Sequence, residues 1–377
     1  MKCFKNVKAY IEGKGVINAD ICFDERIKST DKADGEEIIL PAGAMVVPGF
    51  IDLHIHGAGG SDAMDGTAEA LERISETLVE EGTVGFLATT MTQSEEKIVK
   101  ALTAVKEYDK ENGARILGVH LEGPFISPEY AGAQPREYIV KPDIEQFKKY
   151  NAASGNRIKK VTIAPEEEGA EALIKYLKDN GIIASLGHSN ATAKEVKRAI
   201  ASGADSVTHT FNAQSAFRHR EIGVAGSAML YDELCCEIIA DGVHVSIEAI
   251  KLLVKNKPKD KITLITDSIR AKGSGDGESE LGGQKVFVKD GQARLENGTL
   301  AGSVLKMNVA IKNMVEKAGV TFTQAIDYAT KNPAKQLGIF KETGSIAVGK
   351  RADFTVLDKD YNVVMTIISG RTAYSPN

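Results

Sequence analysis

The 377-residue chain is predicted to be an α/β protein: a parallel, TIM-like (β/α)8 barrel with a small β-sandwich domain formed by both chain ends. Three observations predict this. Eight strand-like runs alternate with helix-like runs over about 250 residues, the rhythm of a parallel barrel. Short strand-like segments stand on either side of that stretch. The histidines and carboxylates best suited to chemistry fall where the barrel strands end.

Residues 1–47 carry VKAYIEG, INADICFD and EEIILPAGAMVV, short strands and turns that form the first part of the small domain. The barrel is expected over 48–340. Its strand candidates are FIDLHI (50–55), VGFLATT (84–90), RILGVHLE (115–122), IKKVTIAP (158–165), IIASLGH (182–188), SVTHT (206–210), CEIIAD (236–241) and ITLITD (262–267). Between them AEALERISETLVEEG sets Leu71, Ile74 and Leu78 on one stripe and stops at Gly82. Thr192 and Glu195 have capping-box spacing ahead of AKEVKRAIASG, and SIEAIKLLVKN follows strand seven. Around Lys289–Gln292 a β-hairpin insertion is expected at the barrel mouth, within about 272–302. VLKMNVAIKNMVEKAG and TFTQAIDYATKNPAKQLG then read as helices, and 341–377 returns to strands that complete the small domain.

Composition excludes several classes. The hydrophobic fraction is 42%, the charged fraction 26% and the net charge -5, which argues for a globular protein that does not bind nucleic acid. No stretch is apolar enough to span a membrane, and the N-terminus lacks the apolar core of a signal peptide. Cys3, Cys22, Cys235 and Cys236 show no CxxC spacing, so no disulfide framework is expected and a reducing cytoplasm is.

In PGFIDLHIHGAGG, His54 and His56 alternate with Leu53 and Ile55, which puts both imidazoles on one strand face. Glu122, His188, His209 and Asp267 end strands three, five, six and eight. Catalytic residues of such barrels sit at the C-terminal ends of strands, so these side chains converge. Imidazoles with a carboxylate suit zinc or iron(II), with manganese or cobalt as alternatives, rather than calcium or magnesium. Three protein ligands leave a position for water, and a nearby carboxylate can move a proton; Asp267 is the candidate. His120, two residues from Glu122, reads as an orienting group rather than a ligand. GAGGSDAMDG reads as a tight loop that lets backbone approach the metal site.

PGFIDLHIHG, GVHLEGPF, AGAQPREY, LGHSNAT, THTFNAQS, ADGVHV, ITDS and LAGS, in that order, resemble the N-acetylglucosamine-6-phosphate deacetylase family of the amidohydrolase superfamily. The resemblance implies a hydrolase that releases acetate from an amino-sugar phosphate, as a cytoplasmic homodimer with one or two divalent ions per subunit. It implies Glu122, His188 and His209 as the primary ligands and Asp267 as the catalytic acid/base. His54 and His56 match members that add a second metal bridged by Glu122. His244 matches the histidine that contacts the sugar, and Ala133 and Gln134 the lining of the N-acetyl pocket. Asn212, Ala213 and Arg220 match the phosphate set, Arg220 reaching the neighbouring subunit's site, and Leu300, Ala301 and Gly302 match a backbone contact. Many other amidohydrolases bridge two metals with a carbamylated lysine on strand four; here Lys159 and Lys160 fall early in that strand. Gln214, Ser215 and Ser268 depart from the family pattern, which bears on fine substrate preference. The alternatives are a deacetylase of another amino-sugar phosphate, such as N-acetylgalactosamine 6-phosphate, and a non-catalytic binding protein of the same fold.

Overall fold

The computed structural model of the protein describes residues 1–32 and 34–376. Eight parallel strands form one sheet in chain order: Phe50–Ile55, Thr83–Thr90, Arg115–Glu122, Ile158–Ile163, Ile183–Leu186, Ser206–Val207, Cys235–Ile239 and Ile262–Ile265. The sheet curls until its edges meet. Asp267 N donates to His54 O at 2.8 Å and His56 N donates to Ser268 O at 2.9 Å, closing the barrel at the mouth. All eight runs read from the sequence are present. Strands four to eight stop short of their expected C-terminal limits, and for three of them the reason is functional. His188, His209 and Asp267 have φ of 46°, 30° and 49°. Left-handed backbone breaks a strand ladder and costs a non-glycine residue about 1–3 kcal/mol, a strain typical of sites.

The helices pack as their stripes predict. Leu71, Ile74 and Leu78 of helix Ala68–Leu78 are buried, and the chain turns at Gly82 with φ 85°. A Cβ at Gly82 would lie 2.4 Å from Thr355 Cγ2, so the turn also admits the small domain. The Thr192–Glu195 capping box is present at the start of helix Ala193–Ser202. The run after Thr321 is two helices, Phe322–Ala329 and Lys331–Gln336, not one. The insertion is larger than one hairpin. Gly277–Leu281, Gln284–Lys289 and Gln292–Leu295 form a three-stranded antiparallel sheet, with Asp290 and Gly291 both at positive φ in the expected tight turn.

Both chain ends enter one further sheet. Met45–Pro48 pairs with Lys2–Ile11 on one side and with Phe354–Leu357 on the other. Phe4, Phe23 and Phe354 stack at ring separations of 5.3, 5.9 and 5.0 Å inside the core these strands enclose. One expectation fails here. Cys3 and Cys22 are joined as a disulfide. They are directly opposed in the register of Lys2–Ile11 against Gly15–Phe23, so a hairpin brings together cysteines whose spacing signalled nothing. Cys235 and Cys236 are free and buried.

Candidate metal centre at the barrel mouth

Six side chains meet where the barrel strands end, and Glu122 is at their centre. Its Oε1 lies 3.0 Å from His209 Nε2, 3.3 Å from His188 Nε2 and 3.4 Å from His54 Nε2; its Oε2 lies 3.2 Å from His56 Nε2. Asp267 Oδ1 faces His56 Nε2 at 3.3 Å and His54 Nε2 at 3.5 Å. The strand-one reading therefore holds in three dimensions: both imidazoles turn to the same two carboxylates. Among the described residues three groups of donors lie close enough together to hold a cation: Glu122 with His188 and His209, His54 and His56 with Asp267, and His54 with His120 and Glu237.

The donor chemistry shows that this arrangement suits a cation. His188 Nδ1 must donate to the carbonyl of Tyr130 at 2.8 Å, because a carbonyl only accepts. In the neutral ring, the form that binds a metal, its Nε2 is then a bare lone pair facing Glu122 Oε1 at 3.3 Å and His209 Nε2 at 3.1 Å. His54 repeats the pattern. Its Nδ1 donates to Glu237 Oε2 at 3.3 Å, and its Nε2 has no hydrogen-bond partner although it is buried. Lone pairs converging on carboxylate oxygens repel one another unless a positive charge stands among them. The residues, with nitrogen and oxygen donors, fit a divalent metal.

The electrostatics point the same way. Burial opposes protonation of His56, but Asp267 and Glu122 outweigh it and lift the imidazole to about 10. Burial likewise opposes a charged His54, and Glu122 and Asp267 still hold it well above its usual range. Burial raises Asp267, and the neighbouring His54 and His56 bring it below the usual carboxylate range. The centre is short of positive charge.

A pocket of about 340 Å³ opens onto this cluster. His56, Glu122, Ala133, Gln134, His188, His209, Asn212, Ala213, His244, Asp267, Leu300 and Gly302 all line it. Three residues on the expected list do not. His54 lies behind the pocket wall, Ala301 is fully buried in the inserted sheet's apolar core, and Arg220 is exposed on the loop after strand six. His244 Nδ1 donates to Asp241 Oδ2 at 2.6 Å, which fixes the ring. Gln134 is pinned from both sides: its Oε1 accepts from Thr92 N at 2.7 Å and its Nε2 donates to Glu122 Oε2 at 2.8 Å. The inserted sheet braces the site. Gln284 Nε2 donates to Ala133 O at 2.6 Å, and Ser303 N donates to Asp267 O at 2.8 Å. At Gly302 a Cβ would lie 2.5 Å from Ile269 Cγ2, so only glycine lets this segment press against Asp267.

Two departures from the family pattern have structural work. Gln214 is buried and clamps its own loop, donating to Thr208 O at 2.6 Å and accepting from Phe211 N. Ser268 donates to Gly57 O at 2.9 Å across the barrel seam. Neither residue lines the pocket. The glycine-rich loop differs from expectation too. Gly57, Gly59 and Gly60 donate backbone bonds to Ser268, Lys272 and Arg270, so the loop zips strand one to the segment after strand eight. His120 has both nitrogens committed, to Leu53 O and Thr162 Oγ1, and stacks edge-on against His54 at 4.5 Å. It packs against His54 rather than Glu122.

Sequence reading missed Glu237, the fully buried carboxylate under His54. The available signal was an acidic residue inside the apolar run CCEIIA of strand seven. Lys160 is not free to bridge metals: its ammonium is tied to Glu237 and to Ser206 Oγ at 3.1 Å. That ammonium overcomes the burial that would raise Glu237 and holds it well below the usual carboxylate range.

Residues 45–373 match the amidohydrolase family model. The N-acetylglucosamine-6-phosphate deacetylase of Bacillus subtilis is 46% identical, the match covering 90% of this chain and 87% of the relative. The N-acetylgalactosamine-6-phosphate deacetylase of Escherichia coli O157:H7 is 36% identical, covering 87% of this chain and 88% of the relative. The crystal structure of N-acetylglucosamine-6-phosphate deacetylase from Thermotoga maritima superposes with a TM-score of 0.90 at 37% identity, covering 99% of this chain and 100% of that one. With its barrel, its metal-binding cluster and these full-length likenesses, the chain belongs to the amidohydrolase family, on the branch that holds the N-acetylglucosamine-6-phosphate deacetylases.

Proposed function

We propose that the chain hydrolyses N-acetyl-D-glucosamine 6-phosphate to D-glucosamine 6-phosphate and acetate, a step of amino-sugar catabolism and cell-wall recycling. The observation that carries this reading is the meeting of four imidazole Nε2 atoms at Glu122, with Asp267 beside them on a pocket of sugar size. Glu122, His188 and His209 would hold the primary divalent ion, and His54 and His56, together with Glu122, would hold a second. A divalent ion bound there supplies Lewis acidity, which makes a water nucleophilic near neutral pH and favours negative charge on a carbonyl oxygen. Zinc or iron(II) fits the donors best, with manganese and cobalt as alternatives.

Asp267 is the proton carrier. It takes the proton from the water that attacks the acetyl carbon and returns it to the amine nitrogen as the C–N bond breaks. His244, held by Asp241, contacts the sugar. Ala133 and Gln134 line the N-acetyl group, and backbone at Leu300–Gly302 closes the opposite wall. Asn212 and Ala213 receive the phosphate together with Arg220 of a second copy, so the working unit is a cytoplasmic homodimer. Support for that last assignment is that Arg220 is exposed and outside its own chain's pocket.

The relative that acts on the galactosamine epimer supports a second reading, the same reaction on N-acetylgalactosamine 6-phosphate. Acetate release from each sugar phosphate, measured with zinc or iron(II) added, tests both. The main reading expects faster turnover of the glucosamine epimer. Preference for the other epimer replaces the substrate, and no release from either removes the reaction.

A further inference from the structure

We propose that Glu237, anchored by Lys160, is a positioning residue that holds the two halves of the metal centre in register. The inference rests on the two-ion reading above and concerns residues that reading does not use.

Glu237 and Lys160 are both fully buried, on strands seven and four, one layer beneath the site. Glu237 Oε1 is taken by the Lys160 ammonium. Oε2 accepts from two groups at once: the His54 ring Nδ1 at 3.3 Å and the His209 backbone N at 3.2 Å. His54 groups with His56 and Asp267, and His209 with Glu122 and His188. A single carboxylate oxygen therefore touches a ligand of each half. At His209 it satisfies the amide of a residue held at φ 30°. At His54 it keeps the ring proton on Nδ1, so that Nε2 presents its lone pair to the carboxylates above. His120, which stacks against His54, does not replace it, because both of its nitrogens are committed.

A buried ion pair is a poor source of stability, since apolar residues of like volume often do as well. Its value here lies in what its free oxygen aims. Groups that orient metal-binding histidines typically change metal affinity about 10–100-fold when lost.

Glu237→Gln separates aiming from bulk. The amide offers one acceptor and one donor. Lys160 claims the acceptor, which leaves an N–H facing His54 Nδ1 and drives the ring proton to Nε2. Because that variant leaves Lys160 unpaired, Lys160→Met with Glu237→Leu removes both charges at similar volume. The test is a cobalt(II) titration of metal-free protein, read by the visible d–d bands, with thermal unfolding recorded on each sample and His54→Ala/His56→Ala as the one-ion reference. Wild type should fill in two steps. Both Glu237 variants should keep the first step and lose about 10–100-fold in affinity for the second. Two unchanged steps in either folded variant overturn the proposal; if only the double variant folds, it decides. A single step in wild type instead refutes the two-ion reading itself, and the inference with it.

Discussion

The floor of the barrel and the core of the small β domain are both fully buried, yet they are built from opposite materials. In the small domain Phe4, Phe23, Phe354, Ile21 and Val356 pack apolar surface on apolar surface. Beneath the metal centre lie Lys160 against Glu237 and Asp52 under the strand-one histidines, with Lys272 against Glu81 buried nearby. Asp52 accepts from Thr266 Oγ1 at 2.5 Å and from His54 N at 3.1 Å, and burial lifts it to about 6. Apolar burial gives stability without direction, whereas a buried polar group is tolerated only when its bonds are satisfied, and those bonds have direction. The comparison teaches that the small domain packs apolar surface alone, whereas the floor beneath the barrel mouth gives up some stability to aim side chains.

Asp267→Asn should produce the largest effect. The amide keeps the shape but cannot carry the proton, so turnover should fall at least about a hundredfold with metal content and unfolding temperature unchanged. Steady-state kinetics with elemental analysis would check it, and near-normal turnover would remove Asp267 from its role.

Phe354→Ala probes the other region. Truncating a fully buried phenylalanine should cost about 3–5 kcal/mol of stability. Turnover per folded molecule should hardly change. Denaturant unfolding and active-site-normalised rates separate the two; a large loss of turnover in folded protein would mean that the β domain also aims the site.

Arg220→Ala should give the smallest change, a KM increase of roughly tenfold with kcat nearly intact, since a surface cation adds binding rather than chemistry. Co-expressed with Asp267→Asn, it should form heterodimers with one complete site and near-normal KM. Heterodimers that form without that activity would confine Arg220 to its own chain.

How much was legible follows from the same contrast. Period-two runs, capping residues and stop signals are local, and they located all eight barrel strands and three of the helices between them, Ala68–Leu78, Ala193–Ser202 and Ile247–Asn256. His54, His56, Glu122, His188, His209 and Asp267 were legible because barrel topology gathers strand ends at one face, so position along the chain implied position in space. The strand ends were read too long because left-handed backbone at His188, His209 and Asp267 leaves no mark in a pattern of apolar residues. Glu237 was missed because one acid in an apolar strand reads the same whether it is aimed at a metal centre or merely paired.

The sequence by itself determined the barrel, its mouth and the set of donors, because alternation and order are properties of a line. Only tertiary structure decided which nitrogen of His54 and of His188 faces Glu122, that Cys3 meets Cys22, that Gln214 and Ser268 clamp backbone rather than face the pocket, and that Arg220 lies outside the pocket of its own chain. Each of these depends on a partner far away in the chain. A hydrogen bond or a disulfide is set by distance and angle between two atoms, and neither exists until the fold has brought them together.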